Sequence, residues 1–217
     1  MTINQPRHIL LVRHGQTDWN AAGRWQGVLQ VPLNDIGIAQ ANALAVMLKS
    51  RPITAVYSSD LTRASHTARI VAEAHQLNIT EDARLRELDL GAFQGLTFPE
   101  ISAQFPAEVE VMKADYMGFT APRGESRRAM QTRAYEAFQA IITGETSDGE
   151  IVIVSHGGTI RVLLTKLFGD DETIHQIHVG NTSVTWIDSD GVNHTLIKRA
   201  TTDHLTVNPK TIGRDDT

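Results

Sequence analysis

Short apolar runs alternate along the chain with longer segments whose apolar residues recur at helical spacing. The runs at 9–12, 53–59 and 151–154 are typical of strands buried on both faces. Helical spacing predicts helices at about 34–50, 60–75 and 125–143 and another after residue 157. Near the end of the chain, "TSVTWID" and "HTLIKRA" flank the turn signal "SDG" and predict a hairpin.

Alternating strands and helices predict an α/β fold, because parallel neighbouring strands need a crossover connection between them. We expect a three-layer α/β/α sandwich with a mostly parallel central sheet, formed by one domain over 1–217. The segment 81–97 is interpreted as a brief strand and a loop. Residues 96–125 are expected to form a small helical insertion that acts as a lid, and about 206–217 a flexible tail.

Composition and charge narrow the classes of protein. A net charge of −5 does not favour binding to nucleic acid or to an anionic membrane. The chain contains no cysteine, which excludes disulfides, thiolate chemistry and cysteine metal sites. The N-terminus lacks the apolar segment of a signal peptide, and no run approaches the roughly 18 apolar residues that cross a bilayer. We therefore expect a soluble, cytoplasmic protein.

Charged and polar side chains follow three of the predicted strands, where each strand ends. Arg13 and His14 follow the first strand, Arg63 follows the second, and His156 and Gly157 follow the third. Ligands of α/β sheets bind beyond the carboxyl ends of the strands, so we expect these residues at one edge. The planar guanidinium group of arginine and the free N–H groups at a helix N-terminus both bind phosphoryl oxygens well. The sequence therefore predicts a pocket for a phosphoryl group.

Some of these residues also have an ordinary structural explanation. The Arg13–His14 pair is compatible with a surface loop, and Arg63 is compatible with an ion pair to a nearby acid. His175 and His178 lie three residues apart, but without a third ligand nearby their spacing favours surface or cap packing over a metal site. The convergence of three strand ends is what favours a functional pocket.

Motifs spread over most of the chain resemble the signature of the histidine phosphatase superfamily, also called the phosphoglycerate mutase-like family. The first motif is "VRHGQTDWN" at 12–20. Further motifs recur in the family's order: "RWQG" (24–27), "YSSDLTRASHTA" (57–68), "LRELDLGAFQGLT" (85–97), "GES" (124–126), "VSHGG" (154–158) and "NTSV" (181–184). The resemblance covers about 7–200 and implies the phosphoglycerate mutase-like fold.

The resemblance also implies a role for each residue of the pocket. His14 would be the nucleophile that accepts the phosphoryl group, and Glu87 would be the general acid and then the base. Phosphoryl oxygens would be held by Arg13, Arg63 and His156, and further substrate contacts would come from Asn20, Gln26 and Gly157. The substrate would be a small phosphorylated metabolite, and no metal or cofactor is implied.

Elementary chemistry agrees with a nucleophilic histidine at this position. Its imidazole must be neutral with a free ring nitrogen, and neighbouring arginines disfavour the protonated form. A backbone carbonyl near Gly15 would fix the ring tautomer. For Glu87 the residues alone leave two interpretations, a proton donor in the pocket or a surface acid paired with Arg84 or Arg86.

The residues after Glu87 favour the phosphatase branch of the family. The family's mutases typically carry Arg-His-Tyr after the acid, whereas Leu88, Asp89 and Leu90 follow here. Residues 96–125 contain few cations to hold the second acidic group of a mutase substrate, namely Lys113 and Arg123. We therefore expect a phosphomonoester hydrolase. A cofactor-dependent phosphoglycerate mutase and a non-catalytic protein that binds phosphorylated ligands stay as alternatives.

Two further features have open interpretations. Large apolar side chains could line an approach to the phosphate or pack the insertion onto the core; they are Trp25, Phe93, Tyr116, Met117 and Phe119. A sheet edge or the C-terminal hairpin could form a homodimer.

Overall fold

A six-stranded sheet lies at the centre of the computed structural model, which describes residues 6–170 and 172–205. Its strands are β1 (Arg7–Arg13), β2 (Ile53–Ser58), β3 (Ile79–Glu81), β4 (Glu150–Ser155), β5 (Val184–Ser189) and β6 (His194–Thr201). Their order is β3-β2-β4-β1-β5-β6. The first four in this order are parallel, whereas β5 and β6 each run antiparallel to a neighbour. The predicted α/β class with a mostly parallel sheet is confirmed.

The two innermost strands are β4 and β1. Their register pairs Ile9 with Ile151 and Val12 with Val154. All residues of β4 are buried. Branched side chains pack well on a pleated surface that is covered on both sides, which is why this apolar run occupies the middle of the sheet.

Helices follow the strands in the expected positions. In the described residues they are α1 (Asp18–Ala21), α2 (Asp35–Leu48), α3 (Thr62–Glu73), α4 (Phe98–Gln104), α5 (Pro106–Ala114), α6 (Arg127–Gly144), α7 (Gly157–Phe168) and α8 (Glu172–His175). Asn34 caps α2 by accepting a hydrogen bond from the Gly37 N–H over 2.8 Å. Within the described part of the chain, no helix combines the length and apolarity needed to span a membrane.

Both faces of the sheet are covered, because successive residues of a strand point to opposite sides. Ile9, Leu11 and Ile153 pack against apolar residues of α6 and α7. Leu10 and Val12 pack on the other face, against apolar residues of α2 and α3. The result is the predicted three-layer α/β/α sandwich.

The segment 81–97 differs from its prediction. The brief strand lies earlier, at β3, and the segment itself consists of turns of 3-10 helix at 83–85 and 91–93 joined by loop. β3 shows no apolar alternation because two of its three residues are exposed at the sheet edge. The insertion is helical as predicted, with α4 and α5. The predicted tail at 206–217 lies outside the described residues.

Candidate active site

His14 lies at the carboxyl end of β1, where the chain leaves the sheet. Its backbone N–H donates to the Ser155 carbonyl at the end of β4 over 3.0 Å, and the residue is only 3% exposed. The ring Nδ1 is 2.7 Å from the Gly15 carbonyl oxygen. A carbonyl can only accept, so Nδ1 carries the proton and Nε2 carries the lone pair. This is the free nitrogen that a nucleophilic imidazole needs.

The loop after His14 is fixed by close packing at Gly15. A Cβ at this position would collide with the carbonyl of Gly37 at the start of α2. The Gly15 N–H also donates to Thr67 Oγ1 on α3 over 3.0 Å. The Gly15 carbonyl is therefore held in place, and with it the tautomer of the His14 ring.

Arg63, in the first turn of α3, is 1% exposed and points at the same ring. Its Nε donates to His14 Nε2 over 3.2 Å, and its other donors reach the carbonyls of Gly27 (2.7 Å) and Leu29 (2.9 Å). The ion-pair interpretation of Arg63 is therefore wrong. Burial lowers the pKa of Arg63 to about 10, while the charge of Glu87 opposes that shift. Arg63 thus remains a cation at neutral pH.

His156 stands immediately before α7, with its ring centroid 5.2 Å from that of His14. Its Nε2 is 2.8 Å from Ser59 Oγ, and Ser59 Oγ also accepts from the Leu61 N–H over 3.3 Å. The hydroxyl proton of Ser59 can then be donated to Nε2, which leaves the ring proton of His156 on Nδ1. Nδ1 is buried and has no hydrogen-bond partner among the described residues. In that tautomer the Nδ1–H is available to an anion.

Both histidines are held in the neutral form. Burial lowers the pKa of His14 well below 6.5, and the charges of Arg63 and Arg13 lower it further. Burial also lowers the pKa of His156 well below 6.5, followed in importance by the charge of Arg63. A buried, neutral imidazole does not belong to a surface loop, so that interpretation of the Arg13–His14 pair is wrong.

Arg13 brings a second guanidinium to this end of the sheet. Its Nη1 donates to the Val179 carbonyl over 2.8 Å. A Cβ at Gly157 would lie 3.4 Å from Arg13 Nε, so the guanidinium lies against the first turn of α7. Two arginines and a helix N-terminus therefore make this pocket positive, as a phosphoryl group requires.

A turn at Asn181 and Thr182 holds the end of β1 from the other side. Asn181 Nδ2 donates to the His14 carbonyl over 3.0 Å, and the Thr182 N–H donates to the Arg13 carbonyl over 3.0 Å. Thr182 has a φ of 53°, which is unusual for a branched residue, and its Oγ1 is 3.0 Å from His204 Nε2. The sequence prediction did not include these two residues, although the "NTSV" motif marked their position.

Glu87 reaches the pocket from the loop between the two 3-10 turns. Its Oε2 accepts from the Gly158 N–H over 3.0 Å, and its Oε1 accepts from the Leu88 N–H over 2.9 Å. A Cβ at Gly158 would press on the same carboxylate, at 2.5 Å from Oε1. Glu87 therefore lies against the first turn of α7, directly after His156.

The surface ion pairs considered for Glu87 do not form. Arg84 pairs with Asp82 over 2.7 Å, and Arg86 pairs with Asp60. The interpretation of Glu87 as the partner of either arginine is therefore wrong.

Asn20 and Gln26 are linked to the pocket in different ways. Asn20 Oδ1 accepts from Asn181 Nδ2 over 3.4 Å, and Asn181 in turn holds the carbonyl of His14. Gln26 is buried, and its Oε1 has no hydrogen-bond partner in the described part of the chain. Gln26 precedes Gly27, whose carbonyl accepts from Arg63. Asn20 is thus connected to His14 through Asn181, and Gln26 is connected to Arg63 through the neighbouring carbonyl of Gly27.

The large apolar side chains mostly pack the insertion onto the core. Phe93 and Phe119 are buried with their ring centroids 5.9 Å apart, and Trp25 and Met117 pack against their cluster. For these four the packing interpretation is confirmed. Tyr116 differs, because it is 58% exposed beneath a guanidinium of α6.

The histidine pair near α8 lies at the surface. His175 and His178 are both exposed, and His175 Nε2 pairs with Asp170 Oδ1 over 2.6 Å. The surface interpretation of these residues is therefore confirmed.

The fold and the pocket define a class of protein, and comparison with known families agrees with it. Residues 9–202 match the histidine phosphatase superfamily (branch 1), and the chain belongs to this superfamily. The predicted resemblance is confirmed.

Individual relatives carry mutase-like and phosphatase names. Phosphoglycerate mutase-like protein 4 of Arabidopsis thaliana is 41% identical over 180 residues, which cover 81% of this chain and 76% of the relative. A glucosyl-3-phosphoglycerate phosphatase of Mycolicibacterium vanbaalenii is 36% identical over 169 residues, 75% of each chain. A solved mycobacterial glucosyl-3-phosphoglycerate phosphatase in complex with VO3 has a TM-score of 0.79 at 32% identity, covering 90% of this chain and all of that one. The two relatives that are named as phosphatases support a phosphatase.

Proposed function

We propose that this protein hydrolyses phosphomonoesters of small metabolites, without a metal, through a phosphohistidine intermediate on His14. The observation that carries the proposal is the hydrogen bond from Arg63 Nε to His14 Nε2. It places the lone pair of a neutral imidazole nitrogen beside a buried cation, and that lone pair is released to attack phosphorus when Arg63 turns its N–H to a phosphoryl oxygen. A phosphoryl group, with an electrophilic phosphorus and anionic oxygens, fits both partners at once. The relatives named as phosphatases support the same activity.

In the first step His14 Nε2 attacks phosphorus and the bond from phosphorus to the ester oxygen breaks. Glu87 enters with a proton and donates it to the leaving oxygen. The non-bridging oxygens are held by Arg13, Arg63 and the Nδ1–H of His156, with Asn20, Gln26 and Gly157 adding contacts to the substrate. The His14 Nδ1–H stays on the Gly15 carbonyl throughout.

In the second step water attacks the phosphorus of phosphohistidine. Glu87, now a carboxylate, accepts a proton from that water, and the bond between His14 Nε2 and phosphorus breaks. Inorganic phosphate leaves, and both residues return to their starting protonation states. The arginines stabilise the charge of the equatorial oxygens in both transfers.

A radiolabel trap tests this proposal. A phosphate ester labelled at phosphorus is mixed with the protein and quenched in alkaline detergent, where a nitrogen–phosphorus bond survives. The label should persist in base, be lost in acid and be absent from His14→Ala. His8→Ala is a matched control, since His8 lies on the same strand with a largely exposed side chain. Label on another residue, or full turnover by His14→Ala, would overturn the proposal.

A phosphoglycerate mutase is the second candidate, because several relatives carry mutase or mutase-like names. A mutase must also hold the carboxylate of its substrate, and Lys113, a cation of the insertion, is paired with Glu110 over 2.8 Å. Conversion of 3-phosphoglycerate, measured with and without 2,3-bisphosphoglycerate, separates the candidates. Mutase flux above the rate of phosphate release would replace the hydrolase, and no phosphate release from any ester would favour a binding protein.

A further inference from the structure

Arg133 occupies a position on α6 from which its guanidinium contacts the chain around Glu87. Nη1 donates to the carbonyls of Arg84 (2.8 Å) and Arg86 (2.7 Å), and Nη2 donates to the carbonyl of Glu87 itself (2.9 Å). Three backbone carbonyls of one short segment thus share one side chain. After the 3-10 turn at 83–85 the chain is irregular up to residue 91, so residues 86 and 87 have no helix or strand ladder of their own.

Glu125 completes this arrangement. Its carboxylate accepts from Arg133 Nε over 3.1 Å and also from Nη2. The same carboxylate accepts from the Asp89 N–H over 3.1 Å, and the Glu125 N–H donates to the Asp89 carbonyl over 2.9 Å. The ion pair therefore holds the chain on both sides of Glu87, at residues 84–87 through Arg133 and at residue 89 through Glu125. We call the Arg133–Glu125 pair the clamp.

We propose that Arg133, held by Glu125, is a positioning residue that aims the carboxyl group of Glu87 at the leaving oxygen. This inference rests on the proposed function, in which Glu87 is the general acid. The Glu87 carboxylate also accepts from the N–H groups of Gly158 and Leu88 and from Thr159 Oγ1 over 3.3 Å. Thr159 Oγ1 and Ser155 Oγ donate to the carbonyls of Arg86 (2.9 Å) and Leu85 (2.8 Å), whereas Arg133 holds the carbonyl of Glu87 itself. Arg13 and Arg63 come from β1 and α3, and His14 directly follows β1, so none of them belongs to the segment that Arg133 and Glu125 hold.

The dependence of rate on the leaving group separates this role from a general structural one. An ester such as p-nitrophenyl phosphate releases a stable anion and needs little protonation, whereas an alkyl phosphate needs a proton in the transition state. kcat/KM reports the steps up to formation of phosphohistidine, in which the leaving group departs. A misplaced acid should therefore lower kcat/KM for alkyl phosphates selectively.

The experiment compares both esters in wild type, Glu87→Gln, Arg133→Gln and Arg133→Lys. Glu87→Gln should lower kcat/KM for the alkyl ester by roughly 10²-fold or more, and for the nitrophenyl ester far less. Arg133→Gln should show the same selectivity at roughly 10–10²-fold, and Arg133→Lys should be intermediate because an ammonium group lacks the fork. Arg128→Gln, an exposed position on the same helix, is the matched control and should match wild type.

The outcomes distinguish the two proposals. Equal losses on both esters in the Arg133 variants, with a selective loss in Glu87→Gln, would overturn the clamp and leave the hydrolase intact. No selectivity in Glu87→Gln would overturn the general acid and the clamp with it. If Arg133→Gln does not fold, as judged by circular dichroism, Glu125→Gln replaces it and must show the same selectivity.

Discussion

Protonation of His14 should destabilise the fold, because its pKa differs between the folded and unfolded states. Burial, reinforced by Arg63 and Arg13, places the pKa of His14 in the folded protein well below 6.5, the ordinary value that the unfolded chain retains. Between these two values the unfolded chain binds a proton that the folded protein excludes. The stabilisation is therefore fully present above pH 6.5 and is lost as the pH falls towards the folded pKa.

The magnitude follows from linkage. One such histidine contributes a slope of about 1.4 kcal/mol per pH unit once the pH is well below the unfolded pKa. Between about pH 7.5 and about pH 5, His14 alone should lower the free energy of unfolding by at most about 2 kcal/mol, the limit reached when the folded form stays unprotonated throughout. The residue is 3% exposed, so solvent does little to screen this effect.

Urea unfolding at a series of pH values, with linear extrapolation, measures this contribution in wild type and His14→Asn. Asparagine can still donate to the Gly15 carbonyl but cannot be protonated. The difference in free energy of unfolding between the two proteins should change by up to about 2 kcal/mol over that pH range, with wild type losing more as the pH falls. The free energy of unfolding of His8→Asn, a substitution at an exposed position, should change with pH in the same way as that of wild type. Parallel curves for His14→Asn would mean that the folded protein accepts the proton, and the argument for a neutral nucleophile would fail.

Further predictions concern the groups around His14. Ser59→Ala should shift the tautomer of His156 away from Nδ1–H, visible in nitrogen NMR, and lower kcat/KM by about tenfold; an unchanged tautomer would contradict the assignment. Arg63→Lys should lower kcat/KM by roughly 10²–10³-fold, since an ammonium cannot replace the guanidinium fork, and near-normal activity would refute that reasoning. Prolonged treatment with EDTA should leave activity unchanged; loss that a divalent cation restores would contradict metal independence.

The central layer of the fold could be predicted because its signal is local and strong. The branched run at 151–154 is long enough and apolar enough to identify β4, and the helices on either side carry continuous apolar faces. β3 could not be placed this way, because an edge strand of three residues buries too little to leave a pattern. Its position is determined by parallel pairing with β2, which depends on distant parts of the chain.

The main residues of the pocket could also be predicted, because strand ends concentrate them at one edge. His14 and His156 end adjacent parallel strands, and their rings are in contact as that placement requires. Arg63 lies shortly after β2, the next parallel strand, and for the same reason its side chain reaches the ring of His14. Position alone thus indicated which side chains meet, although their chemical roles depend on the tests above.

The partners of Glu87 could not be predicted, because proximity in sequence was misleading. Arg84 and Arg86 are its nearest cations along the chain, yet their guanidinium groups turn to Asp82 and Asp60. The groups that do hold the segment come from Gly158 and from Arg133, many residues away. A helical pattern identifies α6 but gives no sign that one of its arginines binds backbone carbonyls of a loop.

The placement of β1 between β4 and β5 has a consequence for synthesis on the ribosome. β1 pairs with strands that lie roughly 140 and 175 residues later in the chain. Synthesis adds about 5–20 residues per second. β1, which directly precedes the proposed nucleophile His14, thus waits on the order of ten seconds for either neighbour. During that interval the apolar side chains of β1 are exposed in the nascent chain, and the pocket has not yet formed. A chaperone that shields β1 during synthesis should therefore raise the yield of active protein more than one that acts on the released chain.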